Sequence, residues 1–522
     1  MTKPRLLLVA LVAGSLLAGL PSAAPASTGR APAPEVLPDP AAAAAVGWPP
    51  APPTQLVIDT AGAPISREDY VPGSVTLDGI THVTEVRGRG NSTWGWAKKP
   101  YKLKLEDDAA LVGDVPHDEW VLLAGYGDRS ALRTAAAFAI AAQTRLAWTP
   151  KLRFVDVVLN GQPQGLYLLT EQVEEGTGRV DLPKDGFLLE VNRRYLRDDE
   201  PGFRTRRGTP VAFKDPDEVT KRQRRSVHRA VSRFENVLWS PSFADRRRGY
   251  ARYINVSRLI DWYLVEELFA NQDSNFQSSV NFSWSPGQRF VMGPVWDFDL
   301  SAGTKWKTTS SPTGWYTRTG THWVSRMLQD PAFARRVKNR WYELRPAVDL
   351  VLSQLRTASA TLGASADADW QQWHADGSDL EWTRRAQSRA GEVDFLASWL
   401  GTRAQWLSQN EVRVADVRIP TTERARTVWV PVVLHSPATA AVDVPWTVTA
   451  LKKAEPGVDF VAAQGTLTFQ PGERRHYVPV QVLDDKRTEG RELVHVEVTG
   501  ASGDVLLGSP STAIVAIARN RR

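Results

Sequence analysis

The spacing of hydrophobic residues changes sharply near Arg413, and that change constrains the fold more than any other feature. From there on VRVADVRI, TVWVPVVLH, VPWTVTAL, GTLTFQPGE, RHYVPVQVLDD, ELVHVEVTG and STAIVAIAR are short alternating runs separated by turn residues. Period-two alternation fits strands with one buried face, so about seven such runs predict a β-sandwich over 413–522. Before Arg413 the pattern is mixed. QLVID, SVTLDG, THVTEVRG, PYKLKLE and EWVLLAG read as strands, and Ser130 to Thr144 (SALRTAAAFAIAAQT) as an alanine-rich helix. RFVDVVLNGQPQGLYLLTEQV reads as a hairpin turned at Asn160-Gly161, and GFLLEVN adds a strand. Beyond Asp217 the period becomes helical, with Val227, Ala230, Val231, Phe234 and Leu238 on one face. The expected fold class is therefore α+β over 55–412, strand-rich first and helical later, followed by an all-β domain.

The first 26 residues carry Lys3 and Arg5, an apolar run from Leu6 to Leu20, and Ala24-Pro25-Ala26. That is the pattern of a secretory signal peptide, so the chain is expected to be secreted, extracellular or held at the cell envelope. No later apolar run is long enough to span a bilayer in the mature chain. Residues 27–54 are rich in Pro and Ala and read as an extended, poorly ordered linker. With no cysteine, the chain has no disulfide, thiolate metal site, thiol nucleophile or lipoprotein anchor, and 20 tryptophans supply apolar surface instead. The net charge of +6, which falls to +4 without Lys3 and Arg5, is compatible with an anionic substrate. Lys221, Arg222, Arg224, Arg225, Arg229 and Arg233 read as a solvated helix face or a dock for an acidic macromolecule. No aromatic residues interleave with them, which speaks against a nucleic-acid partner. HExxH and GxSxG are absent and the eight histidines are scattered, which removes the zincin and α/β-hydrolase classes.

Two constellations carry possible chemistry. In EVRGRGNSTWGWAKKPYKLKLE, Glu85 to Glu106, a Gly-rich turn (Gly88, Gly90, Gly95) joins two strands, the second bearing Lys102 and Lys104 on one face. Glycines let backbone N–H groups approach phosphate oxygens, and a lysine opposite supplies a point charge. A plain hairpin with a solvated basic strand would look the same. In the second, VSRLIDWYLVEELFANQ reads as an apolar helix ending at Asn271 and Asp273. Asn281 follows, and a hairpin turned at Pro286-Gly287 leads to VMGPVWDFDLSAG. As a strand, that run puts Trp296, Phe298 and Leu300 on one face and Val295, Asp297 and Asp299 on the other. The two carboxylates would then lie roughly 6–7 Å apart and need a cation or a shared proton between them. A capping aspartate with a structural ion pair is the plainer alternative. Asp273 with Asp297 as the acid and base of a glycosidase is another.

RGRGNSTWGWAKKPYKLKLE, EWVLLAGYGDRSALR, VVLNGQPQGLYLLTEQV and NQDSNFQSSVNFSW–GPVWDFDLSAG resemble, in that order, the spore-coat CotH kinase-like family. The resemblance is close from Thr54 to Gly303 and weaker through the helices to Val412. It implies an atypical protein-kinase-like fold, with a strand-rich N-lobe and a helical C-lobe. It also implies use of ATP with Mg²⁺ or Mn²⁺ to phosphorylate serines of a protein substrate. Carried over, it makes Lys104 the phosphate-binding lysine, with Lys102 as a substitute, and Asp273 the catalytic aspartate. Asp297, Asp299 and Asn281 would hold metal, and Arg89, Asn91 and Ser92 would lie in the nucleotide loop. Asp128 and Arg133 match a family box best explained as a scaffold ion pair. The chain departs from ordinary kinases in lacking a clear glutamate partner for Lys104, for which Glu171 is the candidate. Asn281 also stands eight residues after Asp273 rather than the usual five.

Gly457 to Gly500 resembles a Calx-β domain, with Asp459, Asp484, Asp485 and Glu489 at positions where such domains often bind Ca²⁺. The usual acidic terminal run is replaced by Ala518-Arg519-Asn520-Arg521-Arg522, so a spacer or adhesive role is the default. Two other functions remain open on sequence alone: a catalytically silent surface-binding protein, and transfer of another part of the nucleotide to protein.

Overall fold

Strands β1 (Thr54–Asp59), β2 (Val71–Leu77), β3 (Ile80–Gly88), β4 (Tyr101–Ala109), β5 (His117–Leu123), β6 (Leu152–Leu159) and β7 (Gln162–Glu171) close into a barrel. Their order is β1-β2-β3-β4-β5-β7-β6, and closure comes from a parallel pairing of β1 with β6. Leu56, Ile58, Val86, Leu103, Trp120 and Leu122 fill its interior. Alternation on β4 sends Tyr101, Leu103 and Leu105 inward, so Lys102 and Lys104 both point out of the wall. The β6–β7 hairpin turns on Asn160 (φ 48°) and Gly161 (φ 75°), the two left-handed positions a two-residue turn of this kind requires. This computed structural model describes residues 38–196, 200–304, 310–375, 387–484 and 490–518. The signal-peptide expectation therefore lies outside the described residues.

A second sheet follows, built from β8 (Phe187–Val191), β9 (Gly202–Arg204), β10 (Pro210–Asp215), β11 (Val280–Trp284) and β12 (Val291–Met292) in the order β12-β11-β8-β10-β9. The helices are α1 (Pro40–Ala45), α2 (Arg133–Ala142), α3 (Lys221–Leu238), α4 (Val256–Phe269), α5 (Trp323–Met327), α6 (Pro331–Ser353), α7 (Leu355–Trp373) and α8 (Arg389–Ser408). One core joins them to the sheet through Phe138, Phe234, Trp262, Phe282, Trp323 and Trp341. Helix α4 is buried on nearly every side, which is why its sequence is apolar with little amphipathic contrast.

Two sequence expectations fail here. The second half of the Pro/Ala-rich stretch is not a free linker: Asp39 caps α1, and Trp48 behind it is 1 % exposed. The Trp48 indole N–H donates to Gln354 Oε1 at 2.9 Å, so one large aromatic anchors a segment whose composition suggested disorder. The acidic run is not a strand beyond Met292. Asp297 adopts a left-handed conformation (φ 59°), which breaks the alternation, and Val295, Trp296 and Phe298 are all buried.

The C-terminal part is an all-β sandwich. Its strands are β13 (Asn410–Val414), β14 (Arg418–Thr421), β15 (Thr427–Leu434), β16 (Val442–Lys452), β17 (Ala463–Phe469), β18 (Arg475–Gln481), β19 (Glu492–Val498), β20 (Val505–Leu507) and β21 (Thr512–Ile517). One sheet runs β18-β15-β13-β20 and the other β14-β21-β19-β16-β17, around a valine-rich core. Only Gln409 separates α8 from β13. The Lys338 ammonium of α6 donates to the carbonyls of Leu407 and Gln409 and lies 3.5 Å from Glu411.

Trp48→Ala is expected to cost about 3–5 kcal/mol, the range for truncating a buried aromatic. Denaturant unfolding of the full chain checks it; a loss under about 1 kcal/mol would show that residues 38–53 are not part of the folded unit.

Candidate active site

The barrel and the second sheet both contribute to one cavity of about 580 Å³. From the barrel side come Arg89, Asn91 and Ser92, on the turn after β3, and Lys102 of β4. Gly90 holds that turn with φ 79°, and a Cβ at Gly88 would overlap the Trp94 ring, so the glycines are sterically required. The opposite wall is acidic. Asp273, Asn281, Asp297 and Asp299 line it, with Glu190 of β8 directly across from Asn281 in the β8–β11 pairing.

Local bonding explains how the acidic loops are placed. Helix α4 ends at Ala270 in a left-handed cap, and the buried Asn271 follows. Its amide donates to Trp296 O (3.1 Å), and its oxygen accepts from the Asp273 backbone N–H (3.3 Å). One side chain thus ties the Asp273 loop to the Asp297 loop. Ser279 makes a second tie: its hydroxyl donates to Asp297 Oδ2 and its N–H to Glu190 Oε1, both at 2.6 Å. Among the described residues ten non-glycines have positive φ, and five of them (Ala270, Phe276, Ser279, Asp297, Ala302) fall in this region. Each such position costs on the order of 1–3 kcal/mol, and strain of this kind concentrates at functional sites.

The charges are unevenly balanced. Burial, then the neighbouring Asp297, Asp128 and Asp273, push the Asp299 carboxyl up to about 7. Burial also pushes Glu190 up to about 7, against the opposing charge of Lys214. Lys214 lies 2.7 Å from Glu200 and 3.7 Å from Glu190. Burial draws the Arg89 pKa down while Asp297 and Asp299 pull it back up, so Arg89 shares the field of the carboxylate pair. Among the described residues no three His, Cys, Asp or Glu side chains form a closed metal cage. Mg²⁺ does not need one, since one or two carboxylates with waters and phosphate oxygens suffice. Asp297 and Asp299 with the Asn281 amide are hard oxygen donors short of positive charge. That donor set fits Mg²⁺ or Mn²⁺.

Seven expected site residues thus meet at the cavity: Arg89, Asn91, Ser92, Asp273, Asn281, Asp297 and Asp299. Two do not. Lys104 is exposed on the outer wall away from the cavity, whereas Lys102 lines it and pairs with Glu119 at 2.5 Å. Parity along β4 put both lysines on one face but could not say which lay under the cavity. Glu171 is fully buried, accepts the Lys151 N–H at 2.7 Å and reaches neither lysine. Asp128 and Arg133 form the scaffold ion pair expected of them, at 2.6 Å. Glu190 and Lys214 escaped the sequence reading. The available signal was a charge within or at the end of an otherwise apolar run, Glu190 in FLLEV and Lys214 in PVAFKD.

Residues 86–407, more than half of the chain, match the family model described as CotH kinase protein. The chain belongs to the CotH kinase protein family. In this CotH chain residues 408–521 match the Calx-beta domain. A curated relative, adhesion G-protein coupled receptor V1 of Danio rerio, is 34 % identical over 67 residues, which is 13 % of this chain and 1 % of the receptor. Among solved structures, the apo-form Calx CBD1 domain is 24 % identical, with 22 % of this chain and 99 % of that one covered and a TM-score of 0.21. CBD12 from CALX1.2 is 25 % identical, with 21 % and 44 % covered and a TM-score of 0.20. Of the four acidic residues matched to Calx-β calcium positions, Asp485 and Glu489 lie outside the described residues. Asp459 is buried and accepts the Glu455 N–H at 2.6 Å.

The raised Asp299 carboxyl gives a signed prediction. Its folded pKa lies above the ordinary value near 3.9, so its contribution to stability is full below about pH 4 and is lost as pH rises to about 7. In chelator-treated protein, Asp299→Asn should therefore be more stable than wild type. The advantage should grow from pH 4 to 7 to about 4 kcal/mol and level off above, read as melting temperature across pH. An advantage independent of pH would show that Arg89 already balances the Asp299 charge.

Proposed function

We propose that this CotH chain is a phosphotransferase with a kinase-like two-lobed site, using ATP and Mg²⁺ or Mn²⁺ to phosphorylate hydroxyl groups, serine above all, of a protein substrate. The observation that carries the reading is one cavity faced by Asp273, Asn281, Asp297 and Asp299 on one wall and by Arg89 and Lys102 on the other. Phosphoryl transfer asks a protein for positioning and charge stabilisation more than for covalent chemistry, and this arrangement supplies both.

Asp273 stands on the loop after α4 as the residue that orients the acceptor hydroxyl and accepts its proton. Asp297, positioned by Ser279, and Asp299 with Asn281 would hold the divalent ion. Lys102 replaces Lys104 as the phosphate-binding lysine, and Glu119 takes the partner role first given to Glu171. Arg89 adds charge beside the phosphates, and Asn91 and Ser92 contribute from the Gly-rich turn. When bound, the metal–nucleotide complex supplies the transferable phosphoryl group and neutralises its charge. Action outside the cytoplasm, on a surface or secreted protein, follows from the signal-like N-terminus and belongs to the same proposal.

Thermal denaturation with Mn²⁺ and ATP should show a shift for the wild type that Asp297→Ala removes. Lys102→Ala should lower kcat/KM on the order of 10²–10³-fold, with Lys104→Ala close to wild type. Intact-mass analysis of offered proteins should show added phosphate. An added nucleotide would assign transfer of the other nucleotide moiety instead. A nucleotide shift absent in the wild type would make the chain a silent binding protein.

A further inference from the structure

The exposed side of α3 breaks two rules that helices in soluble proteins ordinarily obey. Lys221, Arg225 and Arg229 repeat at i, i+4, i+8, with Arg224 beside them, and all four are exposed. Like charges at this spacing destabilise a helix by a few tenths of a kcal/mol per pair. No acidic residue stands in the first turn, where the helix dipole favours one, and Lys221, Arg222 and Arg224 crowd there instead. The Thr220–Gln223 capping box offsets part of that cost. Among the described residues no carboxylate pairs with Lys221, Arg224, Arg225 or Arg229. Arg133, Arg153, Arg340, Arg345, Arg356, Arg389 and Arg403 all have such partners. Local rules broken with only partial compensation inside the molecule point to a use outside it.

The four cations border a groove of about 390 Å³, floored by Phe203 of β9 and His228, whose rings meet edge to face at 5.0 Å. β9 is the edge strand of the second sheet. Glu200, just before it, lines the active-site cavity, and Phe203 lines the groove. Only Pro201 and Gly202 stand between the two, a reach of at most about 10 Å. A polypeptide leaving the cavity therefore has only to pass one strand edge to reach the cations.

We infer that the α3 groove is a docking site for an acidic segment of the acceptor protein, flanking the residue presented to the cavity. The assignment of the partner as the acceptor rests on the phosphotransferase reading. The acidic chemistry rests on the groove alone. Phe203 is 5 % exposed and packed against His228, so no free aromatic face is offered for base stacking, and a peptide fits better than a nucleic acid. Cations at the rim would steer the segment and select for charge rather than for one sequence.

The test uses the full chain and a fluorescein-labelled peptide of alternating Glu and Ser, followed by fluorescence anisotropy without ATP. Wild type should bind, and binding should weaken as salt rises from low to physiological concentration. R224E/R225E/R229E should weaken it at least about tenfold, about 1.4 kcal/mol. R224Q/R225Q/R229Q, which adds no new charge, should weaken it in the same direction. R246E/R247E, on exposed arginines elsewhere, should leave it unchanged. Equal binding by the triple charge reversal, or equal loss in R246E/R247E, would overturn the groove assignment. Duplex DNA displacing the peptide at lower concentration than a second acidic peptide would do the same. The readout involves no turnover, so failure of the nucleotide tests sinks the kinase reading and failure of this one sinks the groove.

Discussion

Arg133 is fully buried, and its guanidinium holds the acidic side of the cavity in place. It meets Asp128 and Glu392 at 2.6 Å each, Ser301 O at 3.1 Å and Ala302 O at 3.4 Å. A buried charge costs several kcal/mol unless it is paired and every N–H finds an acceptor, and here each nitrogen does. Three segments distant in sequence converge on it: the loop before α2, the chain just after Asp299, and helix α8. Arg403 does the same at the other end, pairing with Glu267 at 2.7 Å while Glu267 accepts the N–H groups of Tyr316 and Arg318. Between these two clamps the chain from Ala270 to Ala302 is held in conformations it would not adopt alone. A pair of surface salt bridges could not sustain that strain; two desolvated ones whose guanidinium nitrogens all find acceptors can.

Much of this was legible in the sequence, and the failures have physical causes. Alternation in QLVID, THVTEVRG and PYKLKLE, and the Asn160-Gly161 turn, located barrel strands because each is decided by neighbours within a few residues. The seven alternating runs after Arg413 located the sandwich for the same reason. Asp273 was reached from the end of the apolar helix, which is where it stands, whereas Asp297 and Asp299 were reached through an argument that was half mistaken. The run is no strand, and a left-handed turn at Asp297, held by Ser279 and Asn271, brings both aspartates to the cavity. Lys102 and Lys104 could not be told apart because strand parity is blind to where the cavity meets the wall. Trp48 shows the opposite limit: composition averaged over 27–54 hid one residue whose burial decides the segment.

The cavity's two walls differ in what ordering them requires. The barrel side is a closed set of backbone hydrogen bonds with no free edge; Lys102 extends from that wall and Arg89 from the turn joining two of its strands. The acidic side is loop apart from Glu190 on β8 and Asn281 on β11, and burial, with the neighbouring carboxylates adding to it, raises Asp299 and Glu190 to about 7. Under the proposed function, a polyanion with a divalent ion would give the first wall its counter-charge and the second its cation, which neither an anion nor a cation alone would do.

The junction between the domains has a mechanical consequence. Helix α8 carries Glu392 near its start and runs into the sandwich across Gln409, with Lys338 of α6 gripping the carbonyls at the joint. From Glu392 to that joint is about 25 Å of continuous helix. The sandwich is thus the handle of a rigid rod whose far end touches Arg133. Tension on an anchored sandwich would be felt at the carboxylate that pairs with Arg133, whose guanidinium holds the segment after Asp299, rather than dissipated in a slack linker.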